Sequence, residues 1–300
     1  MENFPIFLNL KKKSVLVVGG GDIALRKIKL LIKVKPKIKI IAKQFCEELE
    51  GLAESNSIEL IKKSFAESDI ENPTIIIAAT NSIKLNKSIS LMAKKKHILI
   101  NVVDQPNLCT FTMGSIVERD SLVIAISSAG KAPVLVRNLR EKIEILVPQG
   151  YSRLVKYAGD LREMVKEKIK LINRRRCFWE KFFESEIIYN SLLKEEKIDS
   201  KLFNSLIKES NSKFGEVYLV GAGPGERDLL TLRALQLMQK CDLCIYDNLV
   251  SSEVLELVRR DADLIYAGKK LDQHTLSQSQ INKLLIKYAK KGKRVLRLKG

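Results

Sequence analysis

The sequence predicts an α/β fold: a doubly wound, Rossmann-like parallel sheet at the N-terminus, a helical centre, and a further α/β segment at the C-terminus. Three observations predict it. Short apolar runs alternate with helix-period segments between Ser14 and Val103, the pattern of strand–helix–strand units. The first apolar run ends in Gly19-Gly20-Gly21, a strand-to-helix turn that lets a ligand approach the backbone. The alternation lapses in a charged stretch and restarts at Val217 before a second glycine loop.

The elements follow in order. Ser14 to Val18 is apolar and closed by glycines, hence a buried strand. Asp22 to Val34 reads as a helix, because Ala24, Ile28, Leu31 and Ile32 share one face and Pro36 follows. Ile38 to Ala42 and Ile58 to Ile61 are strands flanking a helix from Phe45 to Ser55. Thr74 to Ala79 is apolar throughout, which suits a central strand of a parallel sheet. A helix from Ile83 to Lys95 leads to a strand from Ile98 to Val103. Phe111 to Glu118 and Leu122 to Ile126 read as two strands joined by a polar turn at Arg119-Asp120-Ser121. Pro133 opens a helix to about Val147, and Tyr151 to Ser210 is helical and strongly charged. Asn211-Ser212-Lys213 reads as a linker. Val217 to Val220, a helix from Asp228 to Gln239 and a strand from Leu243 to Tyr246 restart the α/β pattern.

Composition narrows the function classes. The 300 residues suit about two domains at roughly 100–200 residues each. No run of about 18 apolar residues exists, and the N-terminus lacks a basic segment followed by an apolar core, so a cytoplasmic protein is expected. Five scattered cysteines then imply reduced thiols. Cys241 and Cys244 form a C-x-x-C, read as packing on an apolar strand. The net charge of +18 fits a lysine-rich composition, a polyanionic small substrate, or nucleic acid. The lysines are dispersed, with few aromatics among them to stack bases, which disfavours nucleic acid.

Gly19-Gly20-Gly21-Asp22-Ile23-Ala24 fits G-x-G-x-x-A between a strand and a helix, the context that makes the motif specific for a dinucleotide. The turn and the free N–H groups at the helix start receive the pyrophosphate. An acidic residue for the ribose hydroxyls is expected after the second strand. Lys43 and Gln44 stand there instead. Lys43 suits either the adenosine ribose or a 2′-phosphate, so the residues leave NAD and NADP open. Asp104, at the carboxyl end of a predicted strand, is either an acid/base in the ligand crevice or a turn aspartate before Pro106. His97 and His274 are the only histidines, and no Cys/His cluster has ligand spacing, so no standing metal site is expected. In the stretch from Arg174 to Phe183, Phe178, Phe182 and Phe183 are expected to form a packing face with the charges outward.

These motifs in this order resemble the siroheme synthase family. The likeness runs through Leu10 to Lys27, Ala78-Ala79-Thr80, Asn101 to Asp104, Phe111 to Ser115, Ser127 to Leu135, Arg174 to Phe183 and Gly221-Ala222-Gly223-Pro224-Gly225. It implies precorrin-2 dehydrogenase and sirohydrochlorin ferrochelatase activities, with Fe²⁺ as substrate, followed by the start of a uroporphyrinogen-III methyltransferase using S-adenosylmethionine. Carried over by position, Gly19, Gly21, Asp22 and Ile23 match the NAD loop, and Lys43 and Gln44 its ribose side. Asp104 matches an aspartate serving both dehydrogenation and chelation, and Ser128 a serine that the family can phosphorylate. Ser128 reads equally well as a turn or helix-entry hydroxyl. Pro224 matches an S-adenosylmethionine contact, Asp247 a proton acceptor and Lys269 a proton donor.

The implied organisation is an NAD-binding domain at 1–113, a dimerisation region at 114–150, a helical domain at 151–212 and the N-terminal part of a tetrapyrrole methyltransferase at 213–300. A homodimer is implied, with the helices from Tyr151 to Ser210 at its interface. The family's methyltransferase module extends well past residue 300, so the expectation is that this chain, as a truncated record or split gene, does not methylate by itself. A catalytically inactive NAD-binding scaffold and a basic nucleic-acid-binding protein are the alternatives.

Overall fold

The computed structural model describes residues 2–56, 58–196, 199–210, 215–268 and 276–300. They form two units, Met1–Pro148 and Gln149–Gly300.

In the first unit, β1 (Ser14–Val18), α1 (Asp22–Leu31), β2 (Lys37–Ala42), α2 (Glu47–Ser55), β3 (Ile58–Lys62), β4 (Ile75–Ala78), α3 (Ile83–Lys95) and β5 (Leu99–Val102) build a parallel sheet in the order β3-β2-β1-β4-β5. Successive residues of a strand face opposite sides, so Val15 and Val17 pack with Ala24, Leu25 and Ile28 of α1, while Leu16 and Val18 pack with Ile89 and Ala93 of α3. Both faces are covered, which is why β1 and β4 are apolar without alternation. The chain moves from β1 outward to β3, then returns to the other side of β1 at β4. That reversal is the switch point where open α/β sheets hold ligands.

The expected helix through Val34 ends as an α-helix at Leu31; Ile32–Val34 form a 3-10 turn closed by Lys35 at φ +51°. The strand expected from Phe111 begins only at Ser115. Thr110 and Phe111 donate their N–H groups to Ile100 O, and Phe111 packs into the core, so this stretch is tied to β5. β6 (Ser115–Arg119) and β7 (Leu122–Ile126) form the hairpin, with Asp120 at φ +54° in its turn. Arg119, expected in that turn, is instead buried. Its guanidinium donates to Val147 O (2.7 Å) and Glu144 O (3.2 Å) and pairs with the Glu144 carboxylate (2.5 Å), satisfying the last carbonyls of α4 (Pro133–Leu146).

In the second unit, the charged centre is four helices, α5 (Gly150–Lys168), α6 (Ile172–Glu184), α7 (Glu186–Leu193) and α8 (Ser200–Ser210), packed around Phe178 and Phe182. Phe183 departs from the expected packing face and is exposed. Nor are all the charges outward: Arg176 pairs with Asp242 (2.7 Å) and Asp261 (2.8 Å), and Glu180 pairs with Arg294. The buried Asp242 also accepts from Arg259 (3.3 Å) and from Arg294 N–H (2.9 Å). The expected linker at 211–213 lies outside the described residues.

The second sheet uses β8 (Val217–Gly221), α9 (Leu232–Lys240), β9 (Leu243–Tyr246), α10 (Ser252–Leu255), β10 (Asp263–Tyr266), α11 (Gln278–Lys290) and β11 (Val295–Lys299). It is parallel in the order β10-β9-β11-β8. The helix expected from Asp228 starts at Leu232, because Leu230 and Thr231 are extended and the Thr231 hydroxyl caps Ala234 N–H. Cys241 and Cys244 are buried in the apolar layer between this sheet and α9, Cys241 just before the strand and Cys244 within it.

Candidate functional site

A cavity of about 800 Å³ opens at the carboxyl edge of the first sheet, over the switch point between β1 and β4. The glycine loop, Lys43 and Gln44 after β2, Lys63, Ser64 and Phe65 after β3, and Thr80, Asn81 and Ser82 after β4 line it. Gly19, Gly21, Asp22, Ile23, Lys43 and Gln44, all expected from sequence, are therefore brought to one pocket.

The three glycines do different things. Gly19 has φ +124°, and a Cβ there would lie 2.1 Å from Ala79 O. This close approach lets Gly19 N–H bond Ile41 O (2.9 Å) and Ala79 N–H bond Val18 O (2.8 Å), which locks the loop across β2, β1 and β4. A Cβ on Gly20 would lie 2.3 Å from Gln44 O. At Gly21 a Cβ would meet no protein atom within 4 Å, so the fold gives no reason for glycine there. Gly21 is the N-cap of α1 and no side chain caps the helix, so the first N–H groups face the pocket. A bare backbone before open helix N–H groups fits a pyrophosphate, and the residues present thus fit a dinucleotide.

The loop after β4 is held from behind. The buried Asn86 accepts from the Thr80 hydroxyl (2.7 Å) and donates to Thr80 O (2.9 Å). Ser82 caps α3 through Leu85 N–H. Behind Lys63 the buried Asp69 accepts from the Lys63 ammonium and from Ala66 N–H (2.8 Å). Burial works against its charge, but those hydrogen bonds prevail and hold the carboxyl below its ordinary value.

Asp104 does not line this cavity. It follows β5 on the same carboxyl edge, two strands from β1, exposed and at φ +57°. Its turn is fixed by its neighbours. Asn101 donates to Phe111 O (3.1 Å), and the Cys109 sulfur lies 3.1 Å from Val102 N and 3.2 Å from Val102 O. The turn carrying Ser128 comes close, since a Cβ on Gly130 would sit 4.0 Å from Pro106 Cγ. Ser128 Oγ accepts from Ala132 N–H (3.0 Å) at the entry to α4.

In the second sheet, Pro224 is exposed in the loop after β8, between Gly223 (φ +66°) and Gly225 (φ +113°). Asp247 follows β9 and is largely buried; Arg297 of β11 bonds one oxygen (2.8 Å), and the N–H groups of Leu249 (3.2 Å) and Gly300 (3.3 Å) bond the other. Both residues lie at the carboxyl edge, with β11 between their strands. Lys269 and His274 lie outside the described residues.

Comparison with known proteins matches three segments of the chain. An NAD(P)-binding family matches residues 6–115, the sirohaem synthase dimerisation region matches 150–197, and the tetrapyrrole (corrin/porphyrin) methylases match 216–300. Siroheme synthase of Ruthia magnifica subsp. Calyptogena magnifica is 49% identical over the whole chain. The chain resembles siroheme synthases along its whole length. It spans 64% of that relative's length, and 65% of the siroheme synthase of Vesicomyosocius okutanii subsp. Calyptogena okutanii, which is 48% identical. Among solved structures, "SirC, precorrin-2 dehydrogenase" covers 69% of this chain and all of its own, with TM-score 0.55 and 24% identity, a likeness of fold.

The sequence missed Lys63, Ser64, Phe65, Asn81 and Arg297 as neighbours of these sites. The signal available for the first four was their place just after predicted strands of a parallel sheet.

Proposed function

We propose that the chain acts in siroheme biosynthesis, oxidising precorrin-2 to sirohydrochlorin with NAD and then placing Fe²⁺, as substrate, in the macrocycle. The observation that carries this reading is that Asp104 stands free on the same sheet edge as the glycine cradle. NAD, when bound, supplies the hydride acceptor. The α1 N–H groups and Gly21 hold the pyrophosphate, and Thr80, Asn81 and Ser82 border the other side of the cleft. The Asp104 carboxylate takes the proton that leaves precorrin-2 as the hydride departs. In chelation two pyrrole N–H protons leave as Fe²⁺ enters, and Asp104 again receives a proton on its way to water. The substrate's many carboxylates suit a strongly basic protein.

The chain is proposed to act as a homodimer through its dimerisation region. Phosphate on Ser128 would add negative charge beside the Ala132 N–H at the entry to α4. In the second unit, Pro224 and its glycine neighbours would hold S-adenosylmethionine, with Asp247 as acceptor and Lys269 as donor of a proton. Incubation with precorrin-2, NAD and Fe²⁺, followed by absorbance, tests the reading. Asp104→Ala is expected to keep nucleotide affinity and lose turnover by 10²-fold or more. Unchanged turnover would remove Asp104 from the mechanism.

A further inference from the structure

The end of β5 is closed by one sulfur atom. β5 is the outermost strand of its sheet, so the outward N–H and C=O groups of Ile100 and Val102 have no neighbouring strand. Both residues are buried, and buried backbone groups need partners. Ile100 N–H donates to Thr110 Oγ1 (2.8 Å), and Ile100 O accepts from Thr110 N–H (2.8 Å). Val102 N–H donates to Cys109 Sγ (3.1 Å). The single S–H of Cys109 lies between two acceptors, Val102 O (3.2 Å) and Gln105 O (3.4 Å). Among the described residues, Cys109 is the one side chain that bonds the backbone on both sides of Asp104.

Asp104 sits inside that turn, exposed, at φ +57°. A residue other than glycine keeps a left-handed backbone only where its surroundings over-determine it. No hydrogen bond among the described residues holds the Asp104 carboxylate itself, so its direction is set through the backbone. The far end of the segment is anchored separately, since the buried Ser90 of α3 donates to Leu108 O (2.6 Å). We propose that Cys109 is a positioning residue for Asp104, its sulfur fixing the turn that aims the carboxylate. This rests on the reading of Asp104 as the proton acceptor. The thiol is spent on backbone groups and takes no part in the chemistry.

The test is a double-mutant cycle on the full chain, with precorrin-2 oxidation by NAD followed by absorbance. Cys109→Val keeps the size of the side chain and removes its hydrogen bonds. It is expected to lower kcat tenfold or more while KM for precorrin-2 and the nucleotide Kd each change less than threefold. In the Asp104→Ala background the same exchange is expected to change the residual turnover less than threefold, because the group it aims is gone. Cys109→Ser restores a donor and an acceptor at that place and is expected to recover most of the lost turnover. Should the valine variant not fold, Cys109→Ala carries the same expectations. Wild-type turnover in Cys109→Val, equal losses in the two backgrounds, or a serine variant as slow as the valine one would overturn the proposal and leave Asp104 in its role. Full turnover by Asp104→Ala alone would overturn both.

Discussion

Exchanging one glycine of the loop at a time separates what the fold needs from what a ligand needs. Gly19→Ala forces a side chain into φ +124° and sets its Cβ 2.1 Å from Ala79 O, a backbone atom that cannot swing aside. The left-handed backbone costs about 1–2 kcal/mol and the overpacking about 1–3 more. A loss of roughly 2–5 kcal/mol is expected, a large share of the 5–15 kcal/mol typical of a domain. Gly21→Ala meets no protein atom within 4 Å and needs no left-handed backbone. Replacing an N-cap glycine with alanine costs several tenths of a kcal/mol, and the stiffer unfolded chain returns about 0.4–1. The net is within about 0.5 kcal/mol of zero. Its methyl does, however, stand before the α1 N–H groups, where the pyrophosphate must touch the backbone. A tenfold or greater rise in nucleotide Kd, about 1.4 kcal/mol, is the expectation. Thermal unfolding of both variants and nucleotide titration of Gly21→Ala check the pair. Gly21→Ala that melts as early as Gly19→Ala, or that binds nucleotide like wild type, refutes the assignment of Gly21 to the ligand.

Two predictions concern the second unit. Asp242→Ala takes one carboxylate from Arg176 and Arg259, which keep Asp261, and frees the Arg294 backbone N–H in a buried place, so about 1–3 kcal/mol of stability is lost. Urea unfolding followed by Trp179 emission reads this directly, since Trp179 is the only tryptophan and lies on α6 beside Phe178; a loss below about 1 kcal/mol would show that the network does not join helices to sheet. Burial raises the Cys241 thiol from 9.0 to about 11 and the Cys244 thiol to about 12. The unfolded chain therefore loses these protons first as pH rises, so their contribution is full below pH 9 and declines above it. Between pH 8 and 10 the urea midpoint is expected to fall further in wild type than in the Cys241→Ala/Cys244→Ala double variant, and equal slopes would contradict it.

The parts of the site legible in sequence are those contiguous in it. Residues 19–23 carry strand end, turn and helix start together, so both the motif and its structural setting could be read along one line. Lys63 and Thr80 could not be read that way, because they reach the cavity only through the strand order β3-β2-β1-β4-β5. Their neighbourhood is decided where the chain passes from β3 to β4 and comes down on the far side of β1 rather than beyond β3. Apolar pattern suits Ile75 to Ala78 to a central place, but it does not say on which side of β1 that strand lies. Charge was misread for a related reason. Arg119 and Arg176 look solvent-bound by composition, yet each ends on an acceptor distant in sequence, Arg119 on Val147 O and Arg176 on Asp242. A guanidinium is tolerated inside only where such acceptors are already fixed, and helix ends and strand ends fix them. The same logic holds at the cavity: Lys63, just after β3, ends on the buried Asp69, which also accepts from Ala66 N–H.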